Sequence, residues 1–221
     1  MTDRIRAVER LRAGPGQRLL VEGWVEGPCA EAADLRGLST LMLDFADRPD
    51  FVDDLFGFAV DTAIAFARAQ VDAGADIIGV GDAAASLVGP GIYRSFVWPH
   101  EHRLVDAIHA MGALVRLHIC GNTRRIVGQM AALNADIVDL DHPLDLAEAR
   151  LAAGPAQMLL GNVDPVAVVM QAGPERVIEA LAACHRAAGS RWIAGAGCEI
   201  PPASPLANVD ALVAYARSTA P

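Results

Sequence analysis

A repeated alternation of short apolar runs with longer helical runs constrains the fold of this chain most strongly. Each apolar run is rich in β-favouring residues, and each is followed by a run with helical spacing or a proline or glycine boundary. Strands that are separated by helices pair in parallel through right-handed crossovers. The alternation therefore predicts an α/β fold built from six strand–helix units. The predicted strands are Arg18–Glu26, Asp76–Asp82, Leu114–Gly121, Asp136–Asp141, Gln157–Asp164 and Trp192–Gly197.

The helices are predicted from apolar spacing and from their start and stop signals. Pro49 opens the longest of them, and Gly74 ends it. Asn122 and Thr123 can cap a helix that begins at Arg124. The predicted helices cover approximately residues 3–13, 30–36, 40–45, 49–73, 93–111, 124–133, 145–153, 174–188 and 208–218.

Polar or ligand-type residues stand at the carboxyl end of every predicted strand. A (β/α)8 barrel builds its active site at that face, whereas a doubly wound sheet uses one crevice. Because every strand contributes, the pattern favours a TIM-barrel-type (β/α)8 fold. A complete barrel has eight units and typically about 250 residues, so six units predict an incomplete barrel that is short at its N-terminus. The strand-end residues are Glu26, Asp82, His118, Cys120, Asp139, Asp141, Asn162, Asp164 and Cys198.

Composition narrows the class of protein further. The 221 residues, 53% of them hydrophobic, suffice for one domain with a full core. No apolar run reaches the roughly 18–20 residues that span a bilayer. The net charge of −9 argues against nucleic acid and anionic membrane surfaces as partners. The first residues lack the apolar core of a signal peptide, so we expect a cytoplasmic protein.

His118, Cys120 and Cys198 are the candidate metal ligands. In a strand, residues i and i+2 point to one face, so the imidazole of His118 and the thiol of Cys120 project side by side. Cys198 occupies a similar position where the last strand gives way to a loop. One imidazole and two thiolates suit a zinc ion with a position open for substrate. The alternative is a core histidine with buried cysteines, one of them in a tight glycine-rich turn.

The remaining polar residues at the carboxyl ends of the strands, called the rim below, allow two interpretations. Asp139, Asp141, Asn162 and Asp164 orient a substrate or support the histidine ligand, or they cap the helices that follow. The same two interpretations apply to Ser86, which follows Asp82 closely in the sequence. The fourth zinc ligand is water or one of four carboxylates, namely Glu26, Asp82, Glu31 and Glu199. Glu26 and Asp82 are favoured among them because they stand at strand ends.

Other titratable side chains are interpreted as structural. Cys29 is expected to be a small buried residue. Cys184 and His185 are adjacent on a helix and do not face one another, so they are not a catalytic pair. His100 and His102 lie on a polar helical stretch and are expected to be solvated.

Several motifs together resemble the uroporphyrinogen decarboxylase superfamily, and within it the zinc-dependent corrinoid methyltransferase branch. The resemblance implies a (β/α)8 barrel with zinc on His118, Cys120 and Cys198. It implies an enzyme that moves a methyl group between a corrinoid (cobalamin) carried by a partner protein and a thiol or another small donor or acceptor. The motifs are Glu26-Gly-Pro28 with Leu35-Arg-Gly37, Gly81–Ser86, His118–Asn122, Gly161–Pro165 and Gly197–Pro201.

The positions of other residues at or near the strand ends also suggest roles for them. We expect Glu26 and Asp82 to be catalytic. We expect a further set to bind the substrate, namely Ser86, Asn122, Asp139, Asn162 and Asp164.

The chain departs from the family at its N-terminus. Its first strand aligns with roughly the third barrel strand, so residues 1–221 are expected to form a single barrel domain that lacks the first two βα units. In the decarboxylases this part carries an arginine-rich substrate motif. Two alternatives therefore stand beside the methyltransferase: a decarboxylase-like lyase without metal, and a truncated non-catalytic homologue. Six strands also leave two unpaired sheet edges, so we expect a homo-oligomer or the N-terminal helix to cover them.

Overall fold

The computed structural model describes residues 1–219, in which short parallel strands alternate with helices. The strands are β1 (Glu22–Glu26), β2 (Ile77–Gly81), β3 (Leu114–Ile119), β4 (Ile137–Leu140), β5 (Met158–Leu160) and β6 (Trp192–Ile193). The α-helices are α1 (Thr2–Ala13), α2 (Pro28–Arg36), α3 (Leu38–Asp47), α4 (Pro49–Asp72), α5 (Gly89–Ile92), α6 (Trp98–Ala110), α7 (Val127–Ala131), α8 (Leu146–Ala153), α9 (Pro174–Ala188) and α10 (Leu206–Ser218). Two 3₁₀ segments (Pro15–Gln17, Ala83–Leu87) and two π-helical segments (Tyr93–Val97, Pro165–Met170) complete the path.

The six strands form one sheet in the order β1-β2-β3-β4-β5-β6. The pairing is parallel, and Glu26 of β1 lies opposite Gly81 of β2, which in turn lies opposite His118 of β3. Sequential order with parallel pairing is what successive βα units produce. The predicted α/β class and the six units are therefore confirmed.

The described chain divides into two compact units, of which the first contains Met1–His118 and Ala132–Asp136. Helix α4 forms much of its core, because Val52, Phe56 and Val60 are buried along one face. Phe45 of α3 packs edge-on against Phe56, with the ring centroids 6.0 Å apart. Burial of apolar side chains at helical spacing explains why this long helix forms.

The second unit contains Ile119–Ala131 and the described chain from Ile137 onwards. Its apolar cluster joins α9, α10 and the π-helical segment Pro165–Met170. The buried residues of the cluster include Val169, Val177, Leu181 and Ala211. Cys184 packs against this cluster, as expected for a structural cysteine.

Arg150 of α8 ties four segments of the second unit together. Its guanidinium donates hydrogen bonds to the carbonyls of Ala188 (2.8 Å), Gly154 (2.8 Å), Gln157 (2.7 Å) and Arg191 (2.6 Å). These carbonyls lie at the ends of α8 and α9 and just before β5 and β6. Burial lowers the pKa of Arg150, and nearby Arg191 adds to that effect.

Several element bounds differ from the sequence prediction. Strand β1 begins at Glu22 rather than Arg18, and β6 ends at Ile193 rather than Gly197, with one isolated bridge between Val163 and Ala196. The ladder is interrupted because Gly161, with φ of 104°, turns the chain out of β5. Helix α7 begins at Val127 rather than Arg124, and the π-helical segment from Pro165 to Met170 was not predicted.

The expectation that His100 is solvated is wrong. Its side chain is only 14% exposed, and its Nε2 lies 2.8 Å from Oδ1 of Asp53. The ring also stands edge-on to Phe56, because this part of α6 packs against α4. His102 is more open and pairs with Asp106 four residues later.

No helix within residues 1–219 is both long enough and apolar enough to cross a lipid bilayer.

Candidate metal centre

Cys120 and Cys198 bring their sulfurs together although 78 residues separate them in sequence. The Sγ atoms lie 3.6 Å apart, and both side chains are half-buried. A disulfide requires about 2.05 Å, so the two cysteines are not joined by a disulfide and their sulfurs lie at van der Waals distance. Two sulfurs on a tetrahedral zinc ion with Zn–S bonds of about 2.3 Å stand about 3.8 Å apart. The observed separation therefore fits two ligands of one ion.

His118 lies in β3, two residues before Cys120, which directly follows the last residue of that strand. One ligand atom from each of His118, Cys120 and Cys198 lies within 4.8 Å of the others, and His118 is buried. An imidazole nitrogen and a thiolate sulfur on one tetrahedral zinc ion are about 3.6 Å apart. The donor set of one nitrogen and two sulfurs thus suits zinc and leaves room for a fourth ligand.

No carboxylate of residues 1–219 belongs to this group of ligand atoms. The four carboxylates proposed as fourth ligands, Glu26, Glu31, Asp82 and Glu199, therefore stand outside it. An open fourth position is the arrangement that catalytic rather than structural zinc sites have.

The turn that follows Cys120 is held by a buried carboxylate, Asp141. Its Oδ2 accepts a hydrogen bond of 2.6 Å from the amide of Gly121. Its Oδ1 accepts bonds from the amide of His142 (2.7 Å) and from Nδ1 of His142 (3.0 Å). On its other side, the imidazole of His142 faces Asp164, with 3.6 Å between Nε2 and Oδ2.

The loop that carries Cys198 rests on the same backbone. A Cβ atom at Gly197 would stand 2.4 Å from the amide nitrogen of His142 and 3.0 Å from the carbonyl carbon of Asp141. Only glycine permits this close approach, which sets the position of the next residue, Cys198.

Asp82 lies at the end of β2 and is completely buried. Its carboxyl accepts hydrogen bonds from the amides of Cys29 (3.2 Å) and Ala30 (2.6 Å), so it caps the first turn of α2. Burial raises the pKa of Asp82 to about 7, against the lowering effect of these hydrogen bonds. The close approach of the Asp82 side chain also explains why a glycine, Gly27, precedes α2. A Cβ atom at position 27 would stand 2.6 Å from that side chain.

Glu101 is a buried partner of Asp82 that the sequence pattern did not indicate. Burial raises its pKa well above the usual range, and the adjacent Asp82 carboxyl raises it further. The hydroxyl of buried Tyr93 donates a 2.5 Å hydrogen bond to Oε2 of Glu101. The sequence alone does not show which face of α6 is buried, and Glu101 stands out as a buried carboxyl only once that face is known.

Glu26 is the solvent-accessible carboxyl among the strand-end residues of the first unit. Partial burial raises its pKa, while a hydrogen bond of 3.1 Å from Nε1 of Trp24 acts against the rise. It lines a cleft of about 290 Å³ together with Glu31, and a second, wider cleft of about 550 Å³ beside Asp34. This position allows Glu26 to exchange a proton with a molecule bound in either cleft.

The other predicted substrate-binding residues make local contacts. The Ser86 hydroxyl donates to the carbonyl of Ala83 (3.1 Å) inside a 3₁₀ turn. Exposed Asn122 accepts from the amide of Arg124 (3.1 Å), so it forms a turn before α7 rather than a helix cap. Asp139 is buried within β4.

Asn162 and Asp164 stabilise backbone after β5. The Asn162 amide group is buried and donates to the carbonyls of Asp141 (3.1 Å) and Leu144 (2.6 Å). Asp164 accepts from the amides of Val166 and Ala167, each at 2.8 Å, which is the capping interaction that the sequence allowed. Substrate binding by these residues stays a prediction.

Two known proteins are similar to this chain in sequence. A methylcobamide:CoM methyltransferase (MtbA) from Methanosarcina mazei is 33% identical over 218 residues, which is 97% of this chain and 62% of the relative. A uroporphyrinogen decarboxylase from Nocardia farcinica is 39% identical over 141 residues, covering 64% of this chain and 38% of the relative. The chain thus spans about six tenths of the length of the methyltransferase relative.

Solved structures give the fold. A methyltransferase from Methanosarcina mazei superposes with a TM-score of 0.90 at 25% identity, covering 97% of this chain and 63% of the other. A B12-independent methionine synthase from Shewanella superposes with a TM-score of 0.72 at 17% identity, a likeness of fold alone. These superpositions confirm the predicted TIM-barrel type, which this chain forms as an incomplete barrel of six units.

The sequence profile of the uroporphyrinogen decarboxylase (URO-D) family matches residues 3–219. Nearly every residue of the chain lies inside that match, and the chain therefore belongs to the uroporphyrinogen decarboxylase family.

Proposed function

We propose that this chain carries the zinc-binding part of a methyltransferase that transfers a methyl group between a corrinoid and a small thiol. The observation that carries the proposal is the grouping of one imidazole and two thiols, His118, Cys120 and Cys198, within 4.8 Å. Support comes from the 33% identity to a methylcobamide:CoM methyltransferase over 97% of the chain. The corrinoid would be presented by a partner protein.

The proposed reaction is a nucleophilic displacement. A thiolate sulfur forms a bond to the methyl carbon while the cobalt–carbon bond breaks, and the electron pair of that bond stays on cobalt. The thiol proton is lost to solvent or to a nearby base before the transfer. Zinc, when bound, keeps a thiol deprotonated at neutral pH and so supplies the nucleophile.

The protein residues hold and expose the site. His118, Cys120 and Cys198 would supply three ligands, and the fourth position would admit the thiol substrate. Glu26 is proposed to exchange protons at the rim, because it is solvent-accessible and has a raised pKa. Asp82 contacts the start of α2, so a catalytic part for it would act through that helix and stays a prediction.

The remaining features of the proposal follow from the same chemistry. Asn122 is exposed beside the turn after Cys120, and it is the most accessible of the five residues proposed to bind substrate. The reaction is proposed to occur in the cytoplasm, where thiols stay reduced. We also propose that a second copy of the chain or the N-terminal helix covers the edges of the six-stranded sheet.

Metal analysis of the purified protein tests the proposal. One zinc ion per chain is expected, and His118→Ala, Cys120→Ser and Cys198→Ser should each lose most of it. Cys184→Ser is the matched control, because Cys184 packs in the core of the second unit and should leave zinc unchanged. Loss of methyl from methylcobalamin in the presence of a thiol should follow the zinc content. A wild-type protein without zinc would reject the proposal.

A decarboxylase is the second candidate, favoured by the 39% identity to a uroporphyrinogen decarboxylase over 141 residues. This alternative reaction would proceed without a metal ion. Carbon dioxide release from a porphyrinogen that persists in Cys120→Ser and Cys198→Ser would support the decarboxylase instead.

A further inference from the structure

We infer that Asp141 is a positioning residue that sets the spacing of the two thiols, Cys120 and Cys198. The inference builds on the proposed metal site and goes beyond it, because it explains how two cysteines 78 residues apart come to hold their sulfurs 3.6 Å from one another. Every contact that carries it lies within the second compact unit.

One carboxylate oxygen of Asp141 controls Cys120, the cysteine that follows β3. Oδ2 accepts the 2.6 Å hydrogen bond from Gly121, the residue that follows Cys120. Gly121 has φ of 85°, a left-handed conformation at which the chain turns sharply away from the strand. The hydrogen bond fixes this turn, and the turn fixes the direction in which the Cys120 side chain leaves the backbone.

The other oxygen controls the surface on which the second cysteine loop rests. Oδ1 accepts two hydrogen bonds from His142, one from the amide and one from Nδ1. Gly197 packs directly on that amide and on the carbonyl carbon of Asp141. Movement of the Asp141–His142 peptide would therefore move Gly197 and, with it, Cys198.

The alternative interpretation of Asp141 as a helix cap does not account for these contacts. Helix α8 is capped by Asp145, whose Oδ1 accepts from the amides of Ala147 (2.9 Å) and Glu148 (3.0 Å). Asp141 is buried, and its carboxylate accepts three hydrogen bonds, none of them from a residue of α8. Its hydrogen bonds serve the loops that carry the thiols.

Asp141→Asn is the test variant, because it keeps the size of the side chain but replaces one acceptor oxygen by an NH₂ donor. It can no longer accept from both Gly121 and His142. Loss of a group that orients metal ligands typically lowers metal affinity about 10–100-fold, and we expect a loss in that range for zinc in a chelator competition. The cobalt(II)-substituted protein should show a weakened sulfur-to-cobalt charge-transfer band.

A second measurement uses the protein without metal. Diamide converts two neighbouring thiols to a disulfide: the thiols lose two electrons and two protons, and the N=N bond of diamide takes them up. The rate of disulfide formation between Cys120 and Cys198 reports their spacing directly. We expect at least a severalfold slower reaction in Asp141→Asn, with normal unfolding behaviour confirmed by circular dichroism.

Asp145→Asn is the control for the loss of charge, because it neutralises a carboxylate of the same unit while the oxygen that remains can still accept from both backbone amides. It should leave zinc affinity and the diamide rate unchanged. If Asp141→Asn does not fold, Asp141→Ser should show the same losses, since its single hydroxyl oxygen cannot replace both carboxylate oxygens.

The outcomes separate the inference from the proposed function. Unchanged affinity and unchanged disulfide formation in Asp141→Asn, or equal losses in Asp145→Asn, would overturn the positioning role. Absence of zinc binding by the wild type would overturn the proposed function alone, and the diamide rates would still decide the role of Asp141.

Discussion

Replacing Gly197 by alanine tests whether close backbone packing places Cys198. The added Cβ would stand 2.4 Å from the amide nitrogen of His142, whereas ordinary contacts begin at 3.4 Å, so the shortfall is about 1.0 Å. The neighbouring atoms belong to the backbone of Asp141 and His142 and cannot rotate away. The loop itself must move by about that distance, and Cys198, as the next residue, must move with it.

The size of the effect follows from this overlap. Overpacking of a tightly packed position typically costs about 1–3 kcal/mol. For a chain of this length each 1 kcal/mol lowers the melting temperature by about 2–4 °C, which gives an expected drop of about 2–12 °C. Metal ligands tolerate displacements of only about 0.2 Å, so a shift of this size should lower zinc affinity at least about tenfold.

Thermal unfolding of the metal-free protein and zinc competition together measure the two effects. Gly195→Ala is the matched control, since a Cβ there comes within 3.0 Å only of the flexible end of the Leu160 side chain, and its nearest backbone neighbour, the amide nitrogen of Gly161, lies at an ordinary 3.6 Å. It should keep wild-type zinc affinity. A Gly197→Ala protein with unchanged melting temperature and unchanged zinc affinity would refute the argument that this contact positions Cys198.

Three further predictions concern buried groups. Cys29 is completely buried, and burial raises the pKa of its thiol far above the usual range. Iodoacetamide at pH 8 should therefore label Cys29 only after denaturation, and labelling of the native protein, detected by mass spectrometry, would contradict this. Because folding raises the pKa of Asp82 to about 7 and that of Glu101 well above its usual range, the stability they contribute is complete below pH ~4 and is lost as pH rises through 7. Glu101→Gln, which keeps an acceptor for Tyr93, should therefore flatten the fall of melting temperature between pH 5 and pH 9, and a slope equal to wild type would argue against the raised pKa of Glu101. Arg150→Lys should lower the free energy of unfolding by about 1–3 kcal/mol, since the three N–H donors of lysine leave at least one of the four carbonyls unpaired. A loss below about 0.5 kcal/mol in urea unfolding would contradict that role.

The sequence predicted the elements whose signals are local. The apolar run before His118 and the i, i+2 spacing to Cys120 place imidazole and thiol on one strand end without reference to the rest of the chain. The glycines around Cys198 likewise indicated a tight loop. Family motifs spread over nearly the whole chain then supplied the barrel type, which periodicity alone left at six strand–helix units.

Contacts between distant segments could not be predicted in this way. Nothing near Glu101 in the sequence indicates that its carboxyl lies against Asp82, because the two are 19 positions apart on different elements. The packing of His100 against α4 was missed for the same reason: a polar run on a helix does not reveal which face is buried. The role of Asp141 depends on a hydrogen bond across 20 residues, which no spacing rule encodes.

The four hydrogen bonds of Arg150 have a consequence for how the second unit opens. The ends of α8 and α9 and the starts of β5 and β6 share one side chain, so none of these segments can separate without breaking bonds to the others. Amide hydrogen exchange in these four places should therefore be governed by a single opening event with one common free energy, rather than by independent fraying of each end.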